Sequence, residues 1–171
     1  DVVLLHDTDY SNASTASITS GIDSTYGEYI FRFYNMNPAT NSTNFTFQCS
    51  TDGGSNYNTA VTSVNAWAYH NEAGADGTLE YHTSVDLAQG TDFQAISPGV
   101  GNGGDESAAG EMHLFNPSST TYVKHWHSTL TNSSGDSTTY NYRLNSAGYF
   151  NTTSAINAVQ FKMASGNFDG T

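Results

Sequence analysis

Apolar residues in this chain recur at every second position in short runs, as in Tyr29-Ile30-Phe31-Arg32-Phe33-Tyr34 and Asn44-Phe45-Thr46-Phe47-Gln48-Cys49. Successive side chains of a strand point to opposite faces, so a period of two describes a sheet with one buried and one wet face. No helical period of useful length interrupts these runs. They are separated by Gly-, Asn-, Ser- and Asp-rich turns such as Thr51-Asp52-Gly53-Gly54-Ser55-Asn56, Asn71-Glu72-Ala73-Gly74-Ala75-Asp76-Gly77 and Asn132-Ser133-Ser134-Gly135-Asp136. Strands joined this way pair antiparallel and stack in two layers. The expected fold is therefore all-β: an antiparallel two-sheet β-sandwich, jelly-roll-like, forming a single domain over residues 1–171.

Alternation predicts strands near residues 2–6, 16–19, 27–35, 43–49, 60–70, 78–83, 92–96, 110–116, 120–131, 139–148 and 156–163. Its inward phase puts Leu4, Ile18, Tyr29, Phe31, Phe33, Phe45, Phe47, Val64, Ala66, Ala68, Met112, Leu114, Val123, Tyr142, Leu144, Val159, Phe161 and Met163 in the core. The opposite phase of 60–70 carries Asn65, Trp67 and Tyr69, an unusually aromatic set for a solvated face. The segment from Ser165 to Thr171 reads as a turn with no strand after it, and both ends of the chain read as clipped.

Composition removes whole classes of function. With 4 Lys plus Arg against 16 Asp plus Glu, the formal charge is -12, which repels phosphate backbones. Nucleic-acid binding and adsorption to anionic membranes are not expected. No run approaches the roughly 20 apolar residues of a membrane-spanning helix. The single cysteine, Cys49, is in phase with Phe45 and Phe47 and reads as a small buried hydrophobe. Acidic residues are scattered singly through loops, without the opposed carboxylates of a glycosidase, and no G-x-S-x-G elbow is present. No catalytic residue is assigned, and the chain reads as non-enzymatic.

Three candidate binding sites remain. His125-Trp126-His127 puts two imidazoles on one side of a strand, and His113 on a neighbouring strand could complete a metal set. Asp52, Asp76, Asp105 and Glu106 lie in Gly-rich loops where carboxylates and carbonyls could gather around Ca2+. Trp67, Tyr69, Trp126 and Tyr57 could stack on sugar rings, with Asn and Asp bonding the hydroxyls.

Four segments carry a wider likeness: Ser20-Gly21-Ile22-Asp23-Ser24-Thr25-Tyr26; Leu114-Phe115-Asn116-Pro117-Ser118-Ser119-Thr120-Thr121; Gly148-Tyr149-Phe150-Asn151-Thr152-Thr153-Ser154-Ala155-Ile156-Asn157; and Val159-Gln160-Phe161-Lys162-Met163-Ala164-Ser165-Gly166-Asn167-Phe168. Through them nearly the whole chain resembles a group of uncharacterised virion structural proteins of marine bacteriophages, cyanophages included. The resemblance implies a component of the virion surface, a capsid decoration or part of a tail or fibre, whose partners are copies of itself and other virion proteins. The alternative, resting on the aromatics and not on the resemblance, is a carbohydrate- or receptor-binding module that takes a host surface glycan on Trp67, Tyr69 or Trp126. The shared motifs are strand and turn motifs and carry over no catalytic residue. Members of that group continue past the Ser-Gly-Asn turn into one more short strand, whereas this chain stops at Thr171. On that reading the sheet edge beside Val159, Phe161 and Met163 would stand open or be completed by another copy.

Overall fold

Alternation resolves into strands β1 (Tyr10–Ala13), β2 (Ala16–Ile18), β3 (Glu28–Pro38), β4 (Thr43–Ser50), β5 (Val61–Asn71), β6 (Gly77–Tyr81), β7 (Gln94–Val100), β8 (Ala108–Phe115), β9 (Lys124–Ser133), β10 (Tyr140–Phe150), β11 (Ala158–Met163) and β12 (Phe168–Gly170). The structure, a computed structural model, describes residues 2–135 and 139–171. The Asp136 end of the expected turn at 132–136 lies outside the described residues. All pairings are antiparallel. One sheet has the order β1-β12-β3-β8-β9-β10-β5-β6 and the other β2-β11-β4-β7. Among the described residues, only β5–β6 and β8–β9–β10 are successive strands paired within one sheet; the other connections cross between layers. The result is an all-β sandwich of two unequal sheets.

Rings fill the space between them. Phe33 of the large sheet meets Phe45 and Phe161 of the small one at centroid distances of 5.1 and 4.9 Å. Phe47 packs edge-on against Trp126 at 4.8 Å and Phe150 at 5.8 Å. Offset and edge-to-face rings of this kind add to the apolar area they remove from water. Cys49 lies in the same cluster, fully buried, and desolvation pushes its thiol pKa well up.

Several expectations are corrected by the packing. Residues 2–6 form no strand, and Leu4 is 77% exposed; Val2-Val3-Leu4-Leu5 is a continuous apolar run with no alternation to bury one face. The first strand is instead β1, whose Tyr10 packs on Phe168. The chain's last residues do form a strand: Gly166 turns it back at φ +75°, Phe168 drops into the core, and Thr171 exchanges two backbone hydrogen bonds with Tyr34. Three residues are too few for a period of two to show. The edge at β11 is closed, because β2 and β4 pair with it on its two sides.

In β5 the phase is inverted. Asn65 is fully buried, while Val64 is 50% exposed and Ala66 and Ala68 are half-buried on the outer face. Trp67 and Tyr69 decide this, since each ring offers roughly 150–250 Å² of burial that alanines cannot match. Asn65 tolerates the interior because its Nδ2 donates to Asp86 Oδ1 at 2.6 Å. Ile18, Phe31, Val123 and Tyr142 are half-buried rather than central. Lys124, at the inward phase of β9, is a buried cation whose Nζ donates to Thr152 O at 3.0 Å. Desolvation lowers its pKa.

Candidate functional site

The two sheets differ in width, and the site follows from that. β7, at one edge of the small sheet, packs over β9 and β10. Beyond it the inner face of β10, β5 and β6 is roofed only in part, by the 3₁₀ turn Thr83–Val85 against β5. The register places Tyr142 opposite Tyr69, Leu144 opposite Trp67, and Trp67 opposite Glu80. Inward-facing rings of β10 and β5, with the His82 ring just past β6, therefore meet in a half-buried array.

Trp67 is its centre. The His82 ring lies 3.7 Å away at 21° on the β6 side, and the Tyr142 ring 4.9 Å away at 12° on the β10 side. Its Nε1 donates to Glu80 Oε1 at 2.8 Å. Tyr69 stands edge-on to Trp67 at 5.5 Å and to Tyr140 at 5.6 Å. The Tyr140 hydroxyl donates to Asp76 Oδ2 at 3.1 Å. Burial, followed by the charges of Asp76 and Glu80, raises the Tyr69 hydroxyl's pKa. The array thus offers ring edges, phenol hydroxyls and two carboxylates, while both faces of Trp67 are taken by its neighbours. A sugar stacks on a ring face, so Trp67 with both faces covered is not itself a stacking platform.

The four aromatics expected to act together are not brought together. Trp67 and Tyr69 are neighbours, but Trp126 is only 2% exposed, in the core against Phe47. Tyr57 lies on the outer side of the small sheet, where it lines an open cleft of about 510 Å³ with Phe93 and Lys162; Lys162 Nζ sits 4.1 Å above the Phe93 ring. The array's other members are Tyr140, Tyr142 and His82, of which alternation singles out only Tyr142, and that as a core residue and not as part of a site. Tyr140-x-Tyr142 shares the two-residue spacing of Trp67-x-Tyr69, and that repeat is the signal that could have found them.

The histidines meet on the opposite, outer face. His113 pairs across β8–β9 with His127, their rings stacked at 4.6 Å and 18°, and His125 lies beside Tyr149. Stacked imidazoles point their nitrogens outward within parallel planes, so they do not converge on one ion. Among the described residues no three His, Cys, Asp or Glu side chains do. The loop carboxylates serve their own turns. Asp52 accepts from Ser50 and Asn56, which holds its pKa down to about 2, and Glu106 accepts from the Gly103 N–H at 2.7 Å.

His113 is held between Glu28 at 2.7 Å and Glu111 at 3.3 Å. Burial pulls its pKa down, but hydrogen bonds and charge from the two glutamates outweigh that, and the net shift is upward. A raised folded-state value means stabilisation that is fully present below the unfolded histidine's pKa of 6.5 and lost as pH rises through the folded value. Urea unfolding should therefore find His113→Ala more destabilising at pH 6 than at pH 8.5, by about 0.5 kcal/mol because the glutamates are half exposed. An equal cost at both pH values would contradict the assignment.

No helix among the described residues is long and apolar enough to cross a membrane. Compared with family models, with curated proteins and with solved structures, the chain shows no significant match to any of them.

Proposed function

We propose that this chain is a non-enzymatic structural component of a bacteriophage particle, displayed on its surface as a capsid decoration or as part of a tail or fibre. Contacts with copies of itself and with other virion proteins hold it there. The observation that carries the reading is the outer face of the large sheet at β10, β5 and β6. In a chain of net charge -12, this face exposes Val64 at 50%, Leu79 at 76% and Tyr81 at 53%, set among Ala66, Ala68 and Ala147 by the strand register. Exposed apolar patches on acidic surfaces mark protein contacts, and flat sheet faces suit repeated, symmetric packing. The likeness of the Gly148–Asn157 and Val159–Phe168 segments to phage virion proteins points the same way. Mass spectrometry of purified particles of the source virus should recover this polypeptide in stoichiometric amount; particles that lack it refute the proposal.

The ring array favours a second reading, a module that binds a host surface glycan during attachment. Tyr69 and Tyr140 with Asp76 and Glu80 supply aromatic surface and hydroxyl acceptors side by side. On a glycan array, binding by the wild-type protein that Tyr69→Ala abolishes would support this reading. Binding that survives the substitution, or no binding at all, would remove it.

A further inference from the structure

The apolar outer stripe has a counterpart in the segment ahead of β1. Ahead of β1 the chain runs as an arm in which Val2, Val3, Leu4 and Leu5 are exposed at 86, 52, 77 and 50%. His6 is tied back toward Thr8 and Tyr10, which leaves those four residues projecting, with the exposed Asp7 beside them. Four successive large apolar side chains in water are the same liability as the stripe, at the other end of the molecule.

Reach decides which copy's arm can cover the stripe. β1 is at one edge of the large sheet, and β5 is six strand spacings away, about 29 Å at ~4.8 Å each. Four free residues beyond His6 extend about 13 Å at ~3.3 Å per residue. A chain's own arm falls short, and a second copy's arm does not have to span the sheet.

Charge decides the register. Arg32 pairs with Glu111, Lys124 is buried on Thr152 O and Lys162 lies over Phe93. Arg143, exposed on the outer face of β10 opposite Ala68, has no carboxylate within ion-pair distance among the described residues. In a chain with 16 acids that cation is scarce. Next to it, Val64, Ala66, Ala147, Asn145, Thr129 and His127 line an open groove of about 300 Å³, whose floor is low because alanine stands where the neighbouring strands carry larger side chains.

We infer that the N-terminal arm of one copy docks on the β10-β5-β6 outer face of a second copy, with Val2–Leu5 on the Val64–Leu79 stripe and Asp7 at Arg143. Donor and acceptor surfaces differ, so two copies either exchange arms reciprocally in a two-fold dimer or join head-to-tail, closing into a ring where the rotation allows and extending as a filament where it does not. It gives the particle-protein reading its self-contact, yet it is tested in solution without any particle, so either can fail alone.

The experiment is analytical ultracentrifugation of the purified chain up to roughly 100 μM, the range a small interface requires. Wild type should show mass rising with concentration. Leu4→Ser in the arm and Leu79→Ser in the stripe should each be monomeric, with circular dichroism unchanged because both sites are exposed; serine is chosen to add no charge. Mixed one to one, the two variants should form a heterodimer and stop there, because one supplies only a stripe and the other only an arm. Asp7→Arg and Arg143→Asp should each weaken association about fivefold, and together restore it. A wild type that stays monomeric, single variants that associate like wild type, a silent mixture, or a double charge swap weaker than either single change overturns the inference.

Discussion

Replacing Phe47 with alanine is expected to cost about 3–5 kcal/mol of folding stability. The side chain is fully buried on the inner face of β4. It makes edge-to-face contacts with Trp126 and Phe150 and stacks over Phe161 at 6.2 Å, so removing it strips a partner from rings of both sheets. The void lies between two hydrogen-bonded layers that cannot close on it without breaking register. Since a domain of this kind is stable by only about 5–15 kcal/mol, the loss takes a large share of the total. Chemical denaturation of Phe47→Ala beside Phe47→Leu checks it. Leucine should recover more than half of the loss, and an alanine variant within 1 kcal/mol of wild type would show that the core is not centred there.

Gly110→Ala should be comparably damaging for a different reason. Gly110 lies on the inner face of β8 between Phe33 and Leu130, with φ +153°. An added Cβ would sit 2.3 Å from Thr129 O and 2.7 Å from Leu130 Cα. Both are backbone atoms of the neighbouring strand and cannot rotate away. Strain in a region of φ,ψ space that L residues rarely occupy, together with overpacking, is on the order of 4 kcal/mol. Loss of soluble expression, or a melting temperature lowered by about 10 °C or more, is the expected result. Gly104→Ala is the control: nothing lies within 4 Å of its added Cβ, and its change should stay within about 0.5 kcal/mol.

The histidine pair teaches how far spacing can be trusted. His125-x-His127 does place two rings on one face, and His113 does lie on the neighbouring strand, so topology was legible. Ligation depends on where the nitrogens point, and the stacking of His113 on His127, held by Glu28 and Glu111, is a product of side-chain packing that no spacing encodes. Trp126 is a similar case. Its position in an alternating run says that it faces one side of β9, but whether that side is wet depends on Phe47 arriving from the other sheet.

Alternation by itself determined the all-β class, most strand positions and the aromatic interior around Phe33, Phe45, Phe47 and Phe161, because a two-residue period has one physical meaning wherever it persists for several residues. It could not determine which phase of β5 faces inward. Val64-x-Ala66-x-Ala68 and Asn65-x-Trp67-x-Tyr69 alternate equally well; the larger rings win the inward phase only once a second layer is there to cover them, and how far they are covered rests on the unequal widths of two sheets brought together from distant parts of the chain. That choice leaves the ring array half roofed on one side and the Val64–Leu79 stripe bare on the other. The surfaces on which function depends were therefore decided by tertiary structure, since they are made by what one layer fails to cover on the other.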